Sequence, residues 1–243
     1  MPGQTIPWEG YTRQHIKLLG AMLSNLHAEL TALPLVGYPA VAEQYLKYCQ
    51  SMQLYFTDPG VKASLNRKLG LNLNPAIFEQ AKQLLSASNE LKQQQVLHMD
   101  FVRSNILFTA TKRRHQPTDL LISGVLDFEK TAYGHPLFDI ARTLAFLLVD
   151  CKYKTATQVR KYFLLSGYQK RGTSQLPHVR IHGAKRNDDL LENLIGQFLM
   201  YDFYKFLKHN PYEDLINNDH FLRTCNQLLT RQLIYGNDTI KQS

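Results

Sequence analysis

The stretch "VLHMDFVRSNILF", residues 96–108, places three polar side chains in an otherwise apolar run. His98, Asp100 and Asn105 follow the spacing H-x-D-x-x-x-x-N. Burying a polar group costs roughly 1–3 kcal/mol unless the group is hydrogen-bonded. The segment therefore predicts either a well-bonded structural loop or a functional site.

The composition is that of a globular protein, because 44% of the 243 residues are hydrophobic. No repeat or Gly/Ser linker divides the chain, so we predict a single domain over residues 1–243. Cys49, Cys151 and Cys225 lack CxxC spacing, which argues against a zinc site or a disulfide framework and favours a reduced, intracellular setting. The longest apolar runs, such as 144–149, are too short to span a bilayer. We therefore predict a cytoplasmic protein with no membrane partner.

The net charge of +8 raises the hypothesis of nucleic-acid binding. The dense basic run "TKRRH", residues 111–115, is followed by Gln116 and Pro117, a pattern typical of a solvated turn. A phosphate-binding patch on this run is the alternative. We predict no nucleic-acid partner, and the positive charge is also compatible with anionic small molecules such as nucleotides.

The hydrophobic periodicity indicates a mostly helical chain with a small β element. Apolar residues at steps of three and four predict a helix over 11–33, and Asn74 followed by Pro75 predicts the start of another. Short apolar runs in residues 95–128 predict a central sheet or hairpin. The segment 169–188 is predicted to be a long exposed loop. Further helices are predicted at 137–149, 157–168, 188–207 and 218–235, which makes the fold class α+β.

A second motif, "GVLDFE", strengthens the first, because Asp127 closes an apolar run at the distance that a hairpin would occupy. Phosphoryl transfer requires a carboxylate that accepts the proton of the attacking hydroxyl, and oxygen ligands that hold Mg²⁺ against the phosphates of ATP. A strand, a loop and a hairpin can bring Asp100, Asn105 and Asp127 to one edge. The joint pattern predicts a phosphotransfer site.

Ordinary structural roles are the alternative for each of these residues. Aspartate and asparagine are common in turns and at helix N-termini, and buried histidines are usually satisfied core residues. The alternatives are a turn cap for Asp100, a turn residue for Asn105 and a strand end for Asp127. For three other residues the structural role is the preferred one: a helix N-terminus for Asp139 over catalysis, a core or loop-packing histidine for His27 over a ligand, and a solvated glutamate for Glu129 over contact with metal or substrate.

The stretches "HMDFVRSNILF" and "SGVLDFEKTAYGHPLFDIARTLAFLL" resemble the C-terminal lobe of the aminoglycoside phosphotransferase and choline kinase-like family, whose fold is related to the protein kinases. The predicted helix "LLGAMLSNLHAEL" resembles the family's helix ahead of the catalytic loop. The resemblance covers residues 18–148. It implies a protein kinase-like C-terminal lobe, predominantly α-helical, with a small central β-hairpin that carries the catalytic and metal-binding loops.

The resemblance also implies roles for individual residues. Asp100 corresponds to the catalytic base, and Asn105 and Asp127 correspond to the ligands of Mg²⁺. Leu107 falls where the family contacts the adenine of ATP, and Leu126 lies beside it. The implied cofactors are ATP and Mg²⁺.

Two further residues correspond to structural supports of the catalytic loop. The resemblance implies that His98 packs and hydrogen-bonds under the loop, and that Asp139 is the buried aspartate that holds the loop through its backbone. The sequence departs from the family at His135, where an aspartate is usual, and at Arg103 and Ser104, which replace a proline-glycine pair. Neither departure removes a catalytic group.

A complete kinase of this type has an N-terminal β lobe with a phosphate-covering loop, a strand lysine and a helix glutamate. No glycine-rich loop or alternating strand pattern precedes the helix predicted over 11–33. The sequence therefore predicts that the N-terminal β lobe is absent and that residues 1–10 are a hinge-like stub.

Three hypotheses follow. The first is an ATP-dependent phosphotransferase that transfers the γ-phosphate to a hydroxyl of a small molecule. In this hypothesis the chain is truncated, or it is completed by an N-lobe on a separate chain or by a homodimer. The second is a non-catalytic kinase-like lobe that acts as a binding or interaction module. Nucleic-acid binding is the third. The intact Asp100, Asn105 and Asp127 favour an enzyme, whereas the missing lysine favours loss of activity.

Overall fold

The computed structural model describes residues 3–7, 10–88, 91–111, 119–169 and 187–236. Its helices are α1 (Arg13–Leu30), α2 (Val41–Thr57), α3 (Pro59–Leu69), α4 (Ala76–Ser88), α5 (Leu137–Asp150), α6 (Ala156–Arg160), α7 (Asn187–His209), α8 (Tyr212–Leu215) and α9 (Asp219–Thr230), and a π-helical segment, Lys161–Tyr168, continues α6. Its strands are β1 (Leu71–Leu73), β2 (Gln95–Leu97), β3 (Ile106–Thr111), β4 (Asp119–Val125), β5 (Ala132–Gly134) and β6 (Ile234–Gly236).

The chain forms two units. The first comprises Met1–Ala40 and Lys92–His182, and the second comprises Val41–Leu91 and Gly183–Ser243. A single domain over 1–243 stays a prediction. Within the part of the chain that the structure describes, no helix is long and apolar enough to cross a membrane.

The first unit contains two antiparallel strand pairs. Strands β3 and β4 form a hairpin, which confirms the predicted central hairpin, and β2 pairs with β5. Strand β2 leads into residues 98–105, whereas β4 leads into residues 126–131. Both candidate loops therefore start from strand ends of the same unit.

The helices of the first unit pack at close range. A Cβ atom on Gly20 of α1 would lie 2.1 Å from the carbonyl oxygen of Phe163 in the π-helical segment, so the two backbones can approach only because Gly20 lacks a side chain. Ile16, Leu23 and Phe163 are buried at this contact or near it in the core. Helix α5 is buried along almost its whole length.

The second unit has a core of stacked aromatic rings. Phe56 of α2 stacks on Phe78 and Phe203, with ring centroids 6.0 and 5.9 Å apart, and Phe203 stacks on Phe221 at 5.6 Å. Strands β1 and β6 pair antiparallel in this unit. Large buried rings of this kind supply much of the apolar area that stabilises a helical core.

The second unit also corrects two secondary-structure predictions. The helix predicted over 218–235 is too long, because α9 ends at Thr230, Gln232 adopts a left-handed backbone with φ 57°, and the following residues form β6. Helices α2 and α3 were not predicted. The signals for α3 are present, since Asp58 caps its N-terminus and Gly70 ends it with φ 62°.

One further prediction is confirmed, and two others concern segments that lie mostly outside the described residues. The predicted N-cap role of Asn74 is confirmed, because its Oδ1 atom accepts a hydrogen bond from the backbone N–H of Ala76 at 3.0 Å. Most of the basic run at 111–115 and most of the loop predicted over 169–188 lie outside the residues that the structure describes.

Candidate active site

The loop of residues 98–105 is closed by hydrogen bonds between its own polar groups. The Nδ2 group of Asn105 donates to the backbone carbonyl of Asp100 at 3.0 Å and to Asp100 Oδ2 at 3.2 Å. The backbone N–H of Asn105 donates to the carbonyl of Val102 at 2.9 Å. Asp100 and Asn105 are 7% and 8% exposed, so these bonds offset the cost of burying them.

The orientation of the Asn105 amide turns its oxygen away from Asp100. Because Nδ2 faces Asp100, Oδ1 lies on the opposite side of the amide, where the hydroxyl of Ser104 donates to it at 3.3 Å. The backbone carbonyl of Asn105 accepts a hydrogen bond from the N–H of Leu126 at 2.8 Å. The hairpin thereby brings Asp127, the next residue, beside the loop that carries Asp100 and Asn105.

Asp127 is exposed and has a left-handed backbone, with φ 62°. Its Oδ1 atom accepts a hydrogen bond from the backbone N–H of Glu129 at 3.4 Å. A non-glycine residue in this conformation costs on the order of 1 kcal/mol, and such residues are concentrated at functional sites. Glu129 is exposed as well.

His98 is completely buried and links the two loops. The backbone N–H of Asp100 donates to His98 Nδ1 at 3.2 Å, so Nε2 carries the proton and donates to the carbonyl of Leu126 at 3.0 Å. The imidazole ring also contacts the rings of Phe101 and Phe128, with centroids 6.1 and 4.5 Å away. The histidine thus joins the loop of Asp100 to the end of the hairpin strand that precedes Asp127.

Asp139, in the first turn of α5, is fully buried and binds the backbone of the loop 98–105. Its carboxylate accepts hydrogen bonds from the backbone N–H groups of His98 at 2.8 Å and Met99 at 2.6 Å. Met99 has φ 61°, so these two bonds fix a backbone conformation that is otherwise unfavourable. His27 Nε2 lies 3.1 Å from the same carboxylate.

His27 connects Asp139 to the π-helical segment. Its Nδ1 atom lies 2.7 Å from the hydroxyl oxygen of Tyr168. Burial and the nearby Asp139 raise the pKa of Tyr168, so the phenol stays protonated and donates to His27. The sequence interpretation of His27 as a satisfied core histidine agrees with this placement, although its contact with Asp139 was not foreseen.

Lys130 is a site residue that the sequence interpretation missed. Its Nζ atom lies 2.7 Å from Asp100 Oδ2. The lysine side chain is 55% exposed, whereas the aspartate side chain is 10% exposed. The only signal in the sequence was its place in the short loop that begins with Asp127.

The two leucines assigned to adenine contact both lie on or directly after the hairpin. Leu107 of β3 is half-buried opposite Gly124, and Leu126 is 38% exposed. The predicted stub reaches this hairpin, because Gln4 and Phe108 exchange backbone hydrogen bonds of 3.0 and 2.9 Å. The hairpin therefore presents apolar side chains next to the loop of Asp127.

His135, where the family usually has an aspartate, is a buried neutral histidine. Its Nδ1 atom accepts a hydrogen bond from the backbone N–H of Leu137 at 3.2 Å, and its Nε2 atom has no hydrogen-bond partner within the described ranges. Burial, with a smaller contribution from His27, lowers the pKa of His135 to about 4. The stability that depends on the neutral ring is present above pH 6.5 and is lost as the pH falls towards 4.

We expect this histidine to make the protein sensitive to mild acid. Between pH 7.5 and 5.5 the free energy of unfolding should fall by about 1 kcal/mol through His135 alone, because the unfolded chain takes up the proton. Urea unfolding at the two pH values measures the loss. The variant His135→Asn keeps an acceptor for Leu137 and should show a smaller loss; an equal loss in both proteins would contradict this account.

The residue types near the hairpin are compatible with a hard divalent cation such as Mg²⁺. Among the residues that the structure describes, no group of three or more His, Cys, Asp and Glu side chains is arranged to hold a metal ion. Asn105 supplies an amide oxygen and Asp127 a carboxylate, which are hard donors of the type that Mg²⁺ prefers. Two such ligands are too few for a metal held by protein alone, so phosphate and water oxygens would have to supply the remaining ligands.

Comparison with known proteins identifies the family to which the chain is related. The profile of the phosphotransferase enzyme family, APH, matches residues 4–172. Hydroxylysine kinase of Bos taurus is 30% identical over 105 residues, which are 42% of this chain and 27% of that protein. This chain therefore spans only about a quarter of that kinase.

Solved structures of kinase-like phosphotransferases share the fold. The aminoglycoside phosphotransferase of Alicyclobacillus acidocaldarius is 14% identical, with a TM-score of 0.55 over 96% of this chain and 67% of that one. The amicoumacin kinase hAmiN, in complex with AMP-PNP and Ca²⁺, is 13% identical, with a TM-score of 0.56 over 93% of this chain and 63% of that one. The profile match covers more than half of the sequence, and the chain belongs to the aminoglycoside phosphotransferase-type phosphotransferase enzyme family.

Proposed function

We propose that this chain is the catalytic part of an ATP-dependent phosphotransferase that transfers the γ-phosphate to a hydroxyl group of a small molecule. The observation that carries the proposal is the hydrogen-bonded pair of Asp100 and Asn105, joined through Leu126 to the loop of Asp127. Phosphoryl transfer requires a carboxylate near hard oxygen donors, and these hydrogen bonds support such a grouping.

Asp100 acts as the base in this proposal. Its Oδ2 atom accepts hydrogen bonds from Asn105 and Lys130, whereas Oδ1 accepts none from the described residues. Oδ1 is therefore the atom that takes the hydroxyl proton. The acceptor oxygen forms a bond to the γ-phosphorus as the bond between that phosphorus and the bridging oxygen of ADP breaks.

Asn105 and Asp127 would hold Mg²⁺ through the amide and carboxylate oxygens. The ion neutralises negative charge on the phosphates when it is bound. Leu107 and Leu126 supply an apolar surface for the adenine ring. His98 and Asp139 keep the loop in position through its backbone.

The proposed nucleotide site also needs phosphate contacts from residues other than those named above. Within the described ranges the strands form only two-stranded sheets, so no five-stranded β lobe is found there. We propose that elements outside the described residues complete the nucleotide site; a separate N-lobe chain and a second copy of this chain are two possible sources of them. A cytoplasmic location stays a prediction.

The experiment that tests the function is transfer of labelled phosphate from [γ-³²P]ATP with Mg²⁺ to a panel of hydroxylated small molecules. Hydroxylysine, choline and aminoglycosides belong in the panel because relatives with these substrates in their names share the sequence or fold. A labelled acceptor is the expected result. Transfer to none of them, with the label remaining on ATP, would count against the enzyme.

The second candidate is a non-catalytic interaction module. It is favoured by three exposed apolar side chains on β4 and the loop after it, Leu121, Leu126 and Phe128, which are 45%, 38% and 45% exposed. Exposed apolar side chains can form part of a surface for a partner. A chain that binds a protein partner but no nucleotide would support this alternative.

A further inference from the structure

Lys130 contacts the proposed base but has no substrate contact of its own in the proposed reaction. Its Nζ atom lies 2.7 Å from Asp100 Oδ2, the same oxygen that accepts a hydrogen bond from Asn105 Nδ2 at 3.2 Å. Exposed ion pairs contribute little to stability, in general about 0–1 kcal/mol. This pair differs from an exposed ion pair because the aspartate is almost completely buried.

The loop that carries Lys130 is held in a defined shape. The backbone N–H of Thr131 donates to the carbonyl of Phe128 at 3.2 Å, and the N–H of Glu129 donates to Asp127 Oδ1 at 3.4 Å. Strand β5 follows directly and pairs with β2, which leads into the loop of Asp100. The lysine thus extends from a fixed turn towards the base, three residues after the proposed metal ligand.

Charge balance points to a second partner for the lysine. Asp100, Asp127 and Glu129 are carboxylates, and the nucleotide phosphates would add further negative charge beside them. Lys130 is the one cationic residue in the loop 126–131. An ammonium group has three N–H donors; Asp100 takes one, and the 55% exposure of the side chain leaves the others directed to solvent.

We propose that Lys130 binds the terminal phosphate of the nucleotide while it remains paired with Asp100. The inference rests on the proposed phosphotransferase function. The ammonium group then bridges the base and the phosphoryl group, which orients Asp100 Oδ1 towards the hydroxyl and stabilises the charge on the transferred phosphoryl oxygens. Lys130 thereby supplies from the hairpin side a cation of the kind that kinases usually take from the N-terminal lobe.

The test is calorimetric titration of the full chain with MgATP and MgADP, because only ATP carries the terminal phosphate. The variant Lys130→Met removes the ammonium group and keeps an unbranched side chain. We expect it to weaken MgATP binding by about tenfold and MgADP binding by less than about threefold. The variant Lys130→Arg should recover most of the affinity for MgATP. Lys161→Met, which changes an exposed lysine of the π-helical segment, should bind both nucleotides as the unmodified chain does.

The outcomes distinguish a failure of the proposed role of Lys130 from a failure of the proposed phosphotransferase function. If the unmodified chain binds MgATP and Lys130→Met binds it equally well, or loses ATP and ADP affinity to the same extent, Lys130 does not bind the terminal phosphate. If the unmodified chain binds neither nucleotide, the phosphotransferase function itself fails, and the role of Lys130 fails with it. Selective loss of MgATP affinity supports the inference.

Discussion

Replacing Asp100 with asparagine should lower phosphoryl transfer by about 10²- to 10⁴-fold, which is the contribution that a positioned general base typically makes. Affinity for MgATP should change by less than about threefold, because the base contacts the acceptor hydroxyl and not the nucleotide phosphates. Asparagine retains the size of the side chain but cannot take the proton. Initial rates with labelled ATP, together with calorimetric titration, measure the two effects separately.

The matched control is Glu129→Gln, which removes one negative charge from the exposed neighbouring loop. We expect this variant to transfer phosphate within about threefold of the unmodified rate, since no step of the proposed reaction uses Glu129. If Asp100→Asn retained a tenth or more of the activity, Asp100 would not be the base, and the carboxylate that is would have to be sought elsewhere.

Replacing Asp139 with asparagine should destabilise the fold by about 3 kcal/mol, because it removes a buried, hydrogen-bonded carboxylate. One of its oxygens becomes an NH₂ group, which faces the N–H of Met99 if it replaces Oδ1, or the N–H of His98 and the imidazole of His27 if it replaces Oδ2. At least one donor then meets another donor. Urea unfolding at pH 7.5 measures the loss in the free energy of unfolding.

Glu43→Gln is the control for this experiment, because Glu43 is an exposed carboxylate in the first turn of α2. Its substitution should change the free energy of unfolding by less than about 0.5 kcal/mol. A loss below about 1 kcal/mol for Asp139→Asn would show that the three contacts of Asp139 contribute little. The loop of Asp100 would then have to be held in position by other residues.

The sequence was sufficient to predict the loops of the candidate site because their signals are local. His98, Asp100 and Asn105 lie within eight consecutive residues, and the apolar runs on either side have the composition of strands. The hairpin register then brings Leu126 to Asn105 without any long-range assumption. The relation of Asp139 to the loop was implied only by the resemblance to the family.

Contacts between distant parts of the chain were not predictable in this way. His27 and Asp139 are separated by 112 positions and Lys130 and Asp100 by 30, so no periodicity connects them. The pairing of β1 with β6 joins the two segments of the chain that make up the second unit. A three-residue strand after α9 has too short a pattern to distinguish it from a last helical turn, which is why the predicted helix ran to residue 235.

The measurement that tests the central claim most directly is calorimetric titration with MgATP of the unmodified chain and of Asp127→Ala. It needs no knowledge of the acceptor. We expect the unmodified chain to bind MgATP and the variant to lose the binding by tenfold or more, because one of two protein ligands of the ion is removed. Equal binding by both proteins, or no binding by the unmodified chain at millimolar nucleotide, would contradict a metal-nucleotide site formed by Asn105 and Asp127.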